Sequence, residues 1–133
     1  MNDLKYDVFL ICPVRNATEE QKLAMYDYIC ELESQGKTVY YPARDTNQND
    51  MVGFRICNDN KKAIMRAKEI HVFWDSKSSG SLFDLGMAFM SGKNIKIVNI
   101  SDVPATEGKS FNNMLRYWEE QSMEQITFIP YTE

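Results

Sequence analysis

Asp84 is the residue whose type and setting point most directly to chemistry. It is the only charge in the run Leu82-Phe83-Asp84-Leu85-Gly86-Met87-Ala88-Phe89-Met90. A carboxylate among side chains built for burial is costly unless partners meet it. Two readings stand side by side. Asp84 is a functional acid, or Ser81-Leu82-Phe83-Asp84 is a capping box with Asp in place of Glu. In the second case the helix dipole favours the acid by about 0.3–1 kcal/mol. Just upstream lies Asp75-Ser76-Lys77-Ser78-Ser79-Gly80-Ser81. Small hydroxyl residues and Gly before a helix suit an anion, because backbone amides approach it closely and Ser adds donors. The plainer reading is a flexible turn in which Ser79 or Ser81 only caps the helix. A third stretch, Cys12-Pro13-Val14-Arg15-Asn16-Ala17-Thr18, holds one cation, Arg15, just before another helix start. Arg15 reads as a phosphate clamp or as a solvated arginine paired with Glu19.

The remaining candidates are weaker. Asp75 ends a strand and meets a ligand or forms a turn. Trp74, Tyr40 and Tyr41 stack on a base or pack in the core. His71 is the single histidine and lies mid-strand, which fits a packed residue better than a general base. No His/Cys/Asp/Glu cluster has metal-ligand spacing, and no P-loop pattern is present, so neither a metal nor a cofactor is expected.

These residues need elements to hold them. Tyr6–Cys12, Thr38–Tyr41, Ile70–Trp74, Ile95–Ile100 and Ile126–Ile129 read as strands, rich in β-branched and aromatic residues. Thr18-Glu19-Glu20-Gln21 is a capping-box pattern that opens a helix, and Gly36 is its stop. A second helix is expected from about Val52 to Ala67, with Ile56, Ala63, Ile64 and Ala67 on one side. A third spans Leu82–Met90, and Phe111, Met114, Leu115 and Trp118 mark a fourth. This alternation predicts one α/β domain over residues 1–133: three layers, α/β/α, with five mainly parallel strands in the flavodoxin-like order 2-1-3-4-5. Ligands in such sheets sit past the carboxyl ends of the strands, at the switch between strands 1 and 3. That places the search at Cys12–Ala17 and Asp75–Asp84.

Composition sets the outer limits. The 133 residues carry 15 Lys plus Arg against 19 Asp plus Glu, a formal charge of −4. An acidic chain without basic clusters is a poor match for nucleic acid phosphates. No apolar run approaches the ~18–20 residues of a membrane span, and MNDLKYDVFL lacks the pattern of a signal peptide. The three cysteines, Cys12, Cys30 and Cys57, fit reduced thiols and a cytoplasmic setting. A small-molecule partner is expected. A homodimer or higher oligomer is also expected, since Leu82–Met90 would otherwise leave an apolar face exposed.

The segments Ala67-Lys68-Glu69-Ile70-His71-Val72-Phe73-Trp74-Asp75, Gly80-Ser81-Leu82-Phe83-Asp84-Leu85-Gly86-Met87-Ala88 and Gly92-Lys93 resemble the signature of the nucleoside 2-deoxyribosyltransferase-like superfamily. That superfamily includes the 2′-deoxynucleoside 5′-monophosphate N-glycosidases. The resemblance covers about residues 6–100 and implies a carboxylate nucleophile that displaces a base from a sugar. Asp84 stands where the family has its nucleophilic Glu. Asn60 stands at the position of a family acid, with Asp59 beside it. Arg15 matches a phosphate-contacting arginine, and Ser78, Ser79 and Gly80 match the phosphate loop.

On that basis the chain is expected to cleave or exchange an N-glycosidic bond of a nucleoside or nucleotide. Asp84 would be the nucleophile, and Asp75 or Asp59 would orient sugar or base. Arg15, Asn16 and the Ser78–Ser81 loop would hold a 5′-phosphate near Trp74, and a neighbouring subunit would complete the pocket. The alternative is a non-catalytic module of TIR-like type that senses a nucleotide or an NAD derivative.

Overall fold

Four parallel strands form one sheet in the order β2-β1-β3-β4, with β1 at Tyr6–Ile11, β2 at Val39–Tyr40, β3 at Ala67–Val72 and β4 at Ile95–Ile97. The computed structural model describes residues 3–127. Among the described residues five α-helices run between and after the strands: α1 (Glu19–Ser34), α2 (Pro42–Asp45), α3 (Phe54–Met65), α4 (Ser79–Ser91) and α5 (Phe111–Thr127). β1 is the spine of the sheet. Its register with β3 runs from Tyr6 opposite Ala67 to Ile11 opposite Val72.

The alternating strand faces build two cores. On one face Val8, Leu10, Cys12, Val39 and Tyr41 pack against Met25, Ile29 and Leu32 of α1. On the other, Phe9, Ile11, Ile70, Val72, Ile95 and Ile97 meet Ala63 and Ile64 of α3, Leu85 and Ala88 of α4 and Leu115 of α5. This is the expected three-layer α/β/α class. Helix α1 starts where its sequence directs. The Thr18 hydroxyl accepts the Gln21 amide at 3.0 Å, and the Gln21 side chain accepts the Thr18 amide at 2.9 Å. Gly36, at φ +86°, turns the chain out of the helix, a conformation that favours glycine.

Several boundaries differ from the sequence expectation. β3 opens at Ala67, not Ile70, because pairing with β1 begins there; Lys68 and Glu69 belong to the strand but break its apolar pattern. The expected helix Val52–Ala67 therefore shortens to α3. Pro42 does not merely end a strand. It opens the single turn α2, where Asp45 accepts the Tyr41 amide at 2.9 Å. β4 stops at Ile97, and a 3₁₀ turn follows at Ile100–Asp102.

The expected fifth strand at Ile126–Ile129 is corrected in part: positions 126 and 127 are the end of α5, and the rest lies outside the described residues. The reason is visible at the edge of the sheet. The outward amides of β4 already have partners, since Ile95 donates to Ser122 Oγ at 2.9 Å and Ile97 to Glu119 Oε2 at 2.6 Å. Side chains of α5 thus satisfy the edge that another strand would have paired. No helix among the described residues is long and apolar enough to cross a membrane.

Candidate functional site

Three polar residues sit where their helices should present apolar ones. Asn60 occupies the core stripe of α3 with Ala63 and Ile64. Ser81 and Asp84 occupy the core stripe of α4 with Leu85 and Ala88. The two stripes converge beyond the carboxyl end of β1. There a cavity of about 220 Å³ is lined by Asn60, Ser81 and Asp84, with Cys12, Ile56, Cys57, Gly80 and Arg15 among its other walls.

Asp84 is 7% exposed, and its Oδ2 accepts the Asn60 amide at 3.4 Å. A chain of contacts aims that amide. Asn60 Oδ1 accepts the Thr46 hydroxyl at 2.7 Å, and Thr46 meets the Tyr40 hydroxyl at 2.6 Å. With its oxygen engaged, Asn60 turns its NH₂ toward the carboxylate. One long hydrogen bond does not offset the loss of water. Burial raises the Asp84 pKa to about 7, and the Asn60 contact opposes that shift only weakly. Near neutrality the carboxyl is thus divided between charged and neutral forms. Burial, with Asp84 adding to it, also pushes the Cys12 and Cys57 thiols up, so both stay protonated and offer no thiolate.

Ser81 is the second unusual group. It is 1% exposed, and its Oγ has no hydrogen-bond partner among the described residues. Leaving a buried hydroxyl unpaired costs about 1–3 kcal/mol. The capping-box reading of Ser81 through Asp84 is corrected here. Ser78 is the N-cap, accepting the Ser81 amide at 3.2 Å, and Asp84 lies beyond the first turn that begins at Ser79. Neither a cap nor the helix end accounts for the acid.

A second cavity, about 470 Å³, adjoins the first and shares Arg15 and Ser78 with it. Its walls include Asn16, Thr18, Lys77 and Ser79. Arg15 is exposed and makes no ion pair among the described residues; Glu19 pairs instead with Lys22 at 3.6 Å. Two cations and the start of α4 therefore border one space, an arrangement that suits an anion. A third cavity, about 550 Å³, shares Gln21 and Asp75 with the second and is lined by Trp74, Asn99, Asp102 and Asn112.

Other expected site residues lie elsewhere. Asp59 is not among the walls of the Asp84 cavity and pairs with Arg55 at 3.7 Å. Asp75 forms the turn after β3. Its carboxylate accepts the Lys77 amide at 2.9 Å and the Gln21 side chain at 3.0 Å, tying α1 to that loop. Trp74 is 8% exposed, belongs to the core, and lines the third cavity. Sequence reasoning passed over Cys57, Ile56, Gln48 and Gly53 as walls of the inner cavity. Asn60 had a usable signal, a polar residue four positions after Ile56 on an apolar stripe. His71 is buried as a packed residue, between Tyr28 at 2.6 Å and Glu69 at 2.9 Å.

No protein-family model matches the sequence, and no curated protein matches it at the level of sequence. Among solved structures, the TIR domain of the Toll-related receptor TRR-2 from Hydra magnipapillata aligns with a TM-score of 0.59. The alignment covers 92% of this chain and 98% of that one at 15% identity. That likeness shows the fold. It overturns the resemblance to the nucleoside 2-deoxyribosyltransferase-like superfamily, and with it the terms N-glycosidase and deoxyribosyltransferase. The physical reason lies in the topology. Any doubly wound sheet of this order places a loop and a helix after β3, and small residues there suit a helix start, so the motif fits the architecture without fixing one family's chemistry.

Proposed function

We propose that this chain is a TIR-like module that binds a nucleotide or an NAD derivative without cleaving it. The observation that carries the reading is the pairing of two adjoining cavities at the strand 1–3 switch. The inner one offers the unpaired Ser81 hydroxyl and the Asp84 carboxyl. The outer one offers Arg15, Lys77 and the serines that open α4. A sugar or base fits the first by its hydrogen-bonding needs, and a phosphate fits the second by charge. Binding is favoured over turnover by the composition of the inner cavity: among its lining residues Asp84 is the one carboxyl, so no second acid stands there to protonate a departing base. Its neutral form donates a hydrogen bond to a bound ligand.

Calorimetry with AMP, ADP-ribose and NAD, paired with chromatography of the mixtures, tests this. Saturable binding is expected with no base released. Arg15→Ala should weaken phosphate-bearing ligands by about 1.5–3 kcal/mol and leave adenosine unaffected. Release of free base, or failure of all three ligands to bind, overturns the reading.

A further inference from the structure

Helix α4 has a second face that the ligand cavities do not use. Leu82, Phe83, Phe89 and Met90 stand 41%, 56%, 62% and 89% exposed, and Phe111 of α5 stands beside them at 53%. At 3.6 residues per turn the four α4 positions fall within one arc of about 120°, with Gly86 inside it. The one charged side chain of α4, Asp84, is buried on the opposite side. Next to this ridge lies a hollow of about 380 Å³, walled by Leu82, Leu85, Gly86, Phe89, Phe111 and Met114. A cavity of roughly 150 Å³ already admits a benzene ring. The small size of Gly86 helps keep the hollow open, since nothing lies within 4 Å of where its Cβ would stand.

We propose that this face binds a second copy of the same chain, as a twofold dimer in which the Phe83–Met90 ridge of each protomer enters the hollow of the other. Three observations select that occupant. A twofold contact requires one patch to carry both the projection and its receptacle, and here ridge and hollow adjoin. The exposed parts of the five residues equal about three whole large side chains, or roughly 600 Å² at about 200 Å² each. That approaches the ~800 Å² per partner of a stable interface. The chain carries a net charge of −4, so two copies repel over most of their surfaces and meet most readily where no charge stands.

Sedimentation equilibrium of the full chain, at concentrations up to about 200 µM, decides the matter. The expected mass is twice 15.5 kDa. Met90→Lys places a charge in the contact and should weaken the dimer about a hundredfold or more. Because Met90 is 89% exposed, the core is untouched and the circular dichroism should not change. Gly86→Leu fills the hollow and should do the same from the other side of the contact. A monomer throughout that range overturns the proposal, whether the face is bare or reserved for a different protein. So does a dimer that keeps its affinity in both variants.

Discussion

Replacing Asp84 by Asn separates charge from shape at the centre of the inner cavity. The carboxyl has its pKa raised from 3.8 to about 7, chiefly by burial. A raised acid binds more protons in the folded state than in the unfolded one. Its neutral form is therefore the one the fold accepts, and stability falls as pH climbs from about 4 to about 7. A shift of roughly three pH units corresponds to about 4 kcal/mol once the group is fully ionised in both states. Roughly 2 kcal/mol of that is already lost at about pH 5, where the unfolded chain is mostly ionised and the folded one is not. The substituted amide carries no charge at any pH, and its oxygen can still accept the Asn60 amide. The variant should therefore be more stable than the natural chain, by a margin that widens by about 2–3 kcal/mol between about pH 5 and about pH 8. On a domain of this length that is a divergence of roughly 10 °C in Tm. Thermal melts of both proteins at the two pH values measure it. A Tm difference that stays constant between them would refute the reasoning, because it would mean Asp84 ionises as an ordinary solvated carboxylate.

Two other substitutions test single contacts. Ser81→Ala removes the buried hydroxyl that has no partner, so it should raise stability by about 1 kcal/mol in urea while weakening nucleotide binding about tenfold; a loss of stability would mean that the hydroxyl is already satisfied. Tyr28→Phe strips His71 Nδ1 of its 2.6 Å partner in a residue only 3% exposed, and should cost about 1–2 kcal/mol in the same assay. An unchanged midpoint would show that the Tyr28–His71 contact contributes nothing to the fold.

The sequence was most legible where local chemistry acts alone. The Thr18–Gln21 capping box and the Gly36 stop sit where their residue types place them. The alternation of elements yields the α/β class and the order of the first four strands. Legibility fell where a partner distant in sequence decides. Ala67 joins a strand only because Tyr6 lies opposite it. The β-branched positions 126 and 127 read as the start of a strand, yet they end α5, whose Ser122 and Glu119 meet the outward amides of β4. Asp84 stood out as a lone charge, but two equal explanations fitted it. Only the location of the true cap, Ser78, removed one of them. Asp59 and Asn60 are adjacent in sequence, and one residue of helix phase sends the first to Arg55 and the second to Asp84.

That closing of the β4 edge also shapes what the outer surface can do. A fifth strand would extend the sheet and leave another edge to protect. Helix α5 covers that edge and brings a flank against α4, where Trp118 meets Phe89 edge-on at 5.2 Å between ring centroids. The Trp118 indole also donates to the Lys93 carbonyl at 3.1 Å, anchoring α5 to the turn after α4. Phe111 and Met114 therefore come to stand beside Gly86 and complete the hollow. Helix α4 is thus divided along its length: Ser81 and Asp84 face the inner cavity, and Phe83 and Met90 face outward. Both faces share one rigid backbone of 13 residues. In the proposed dimer, a ligand that fixes the protonation of Asp84 would act on the contact through the charge and the position of that helix. Coupling between the two sites should accordingly appear as a reciprocal change in affinities, equal in free energy in both directions.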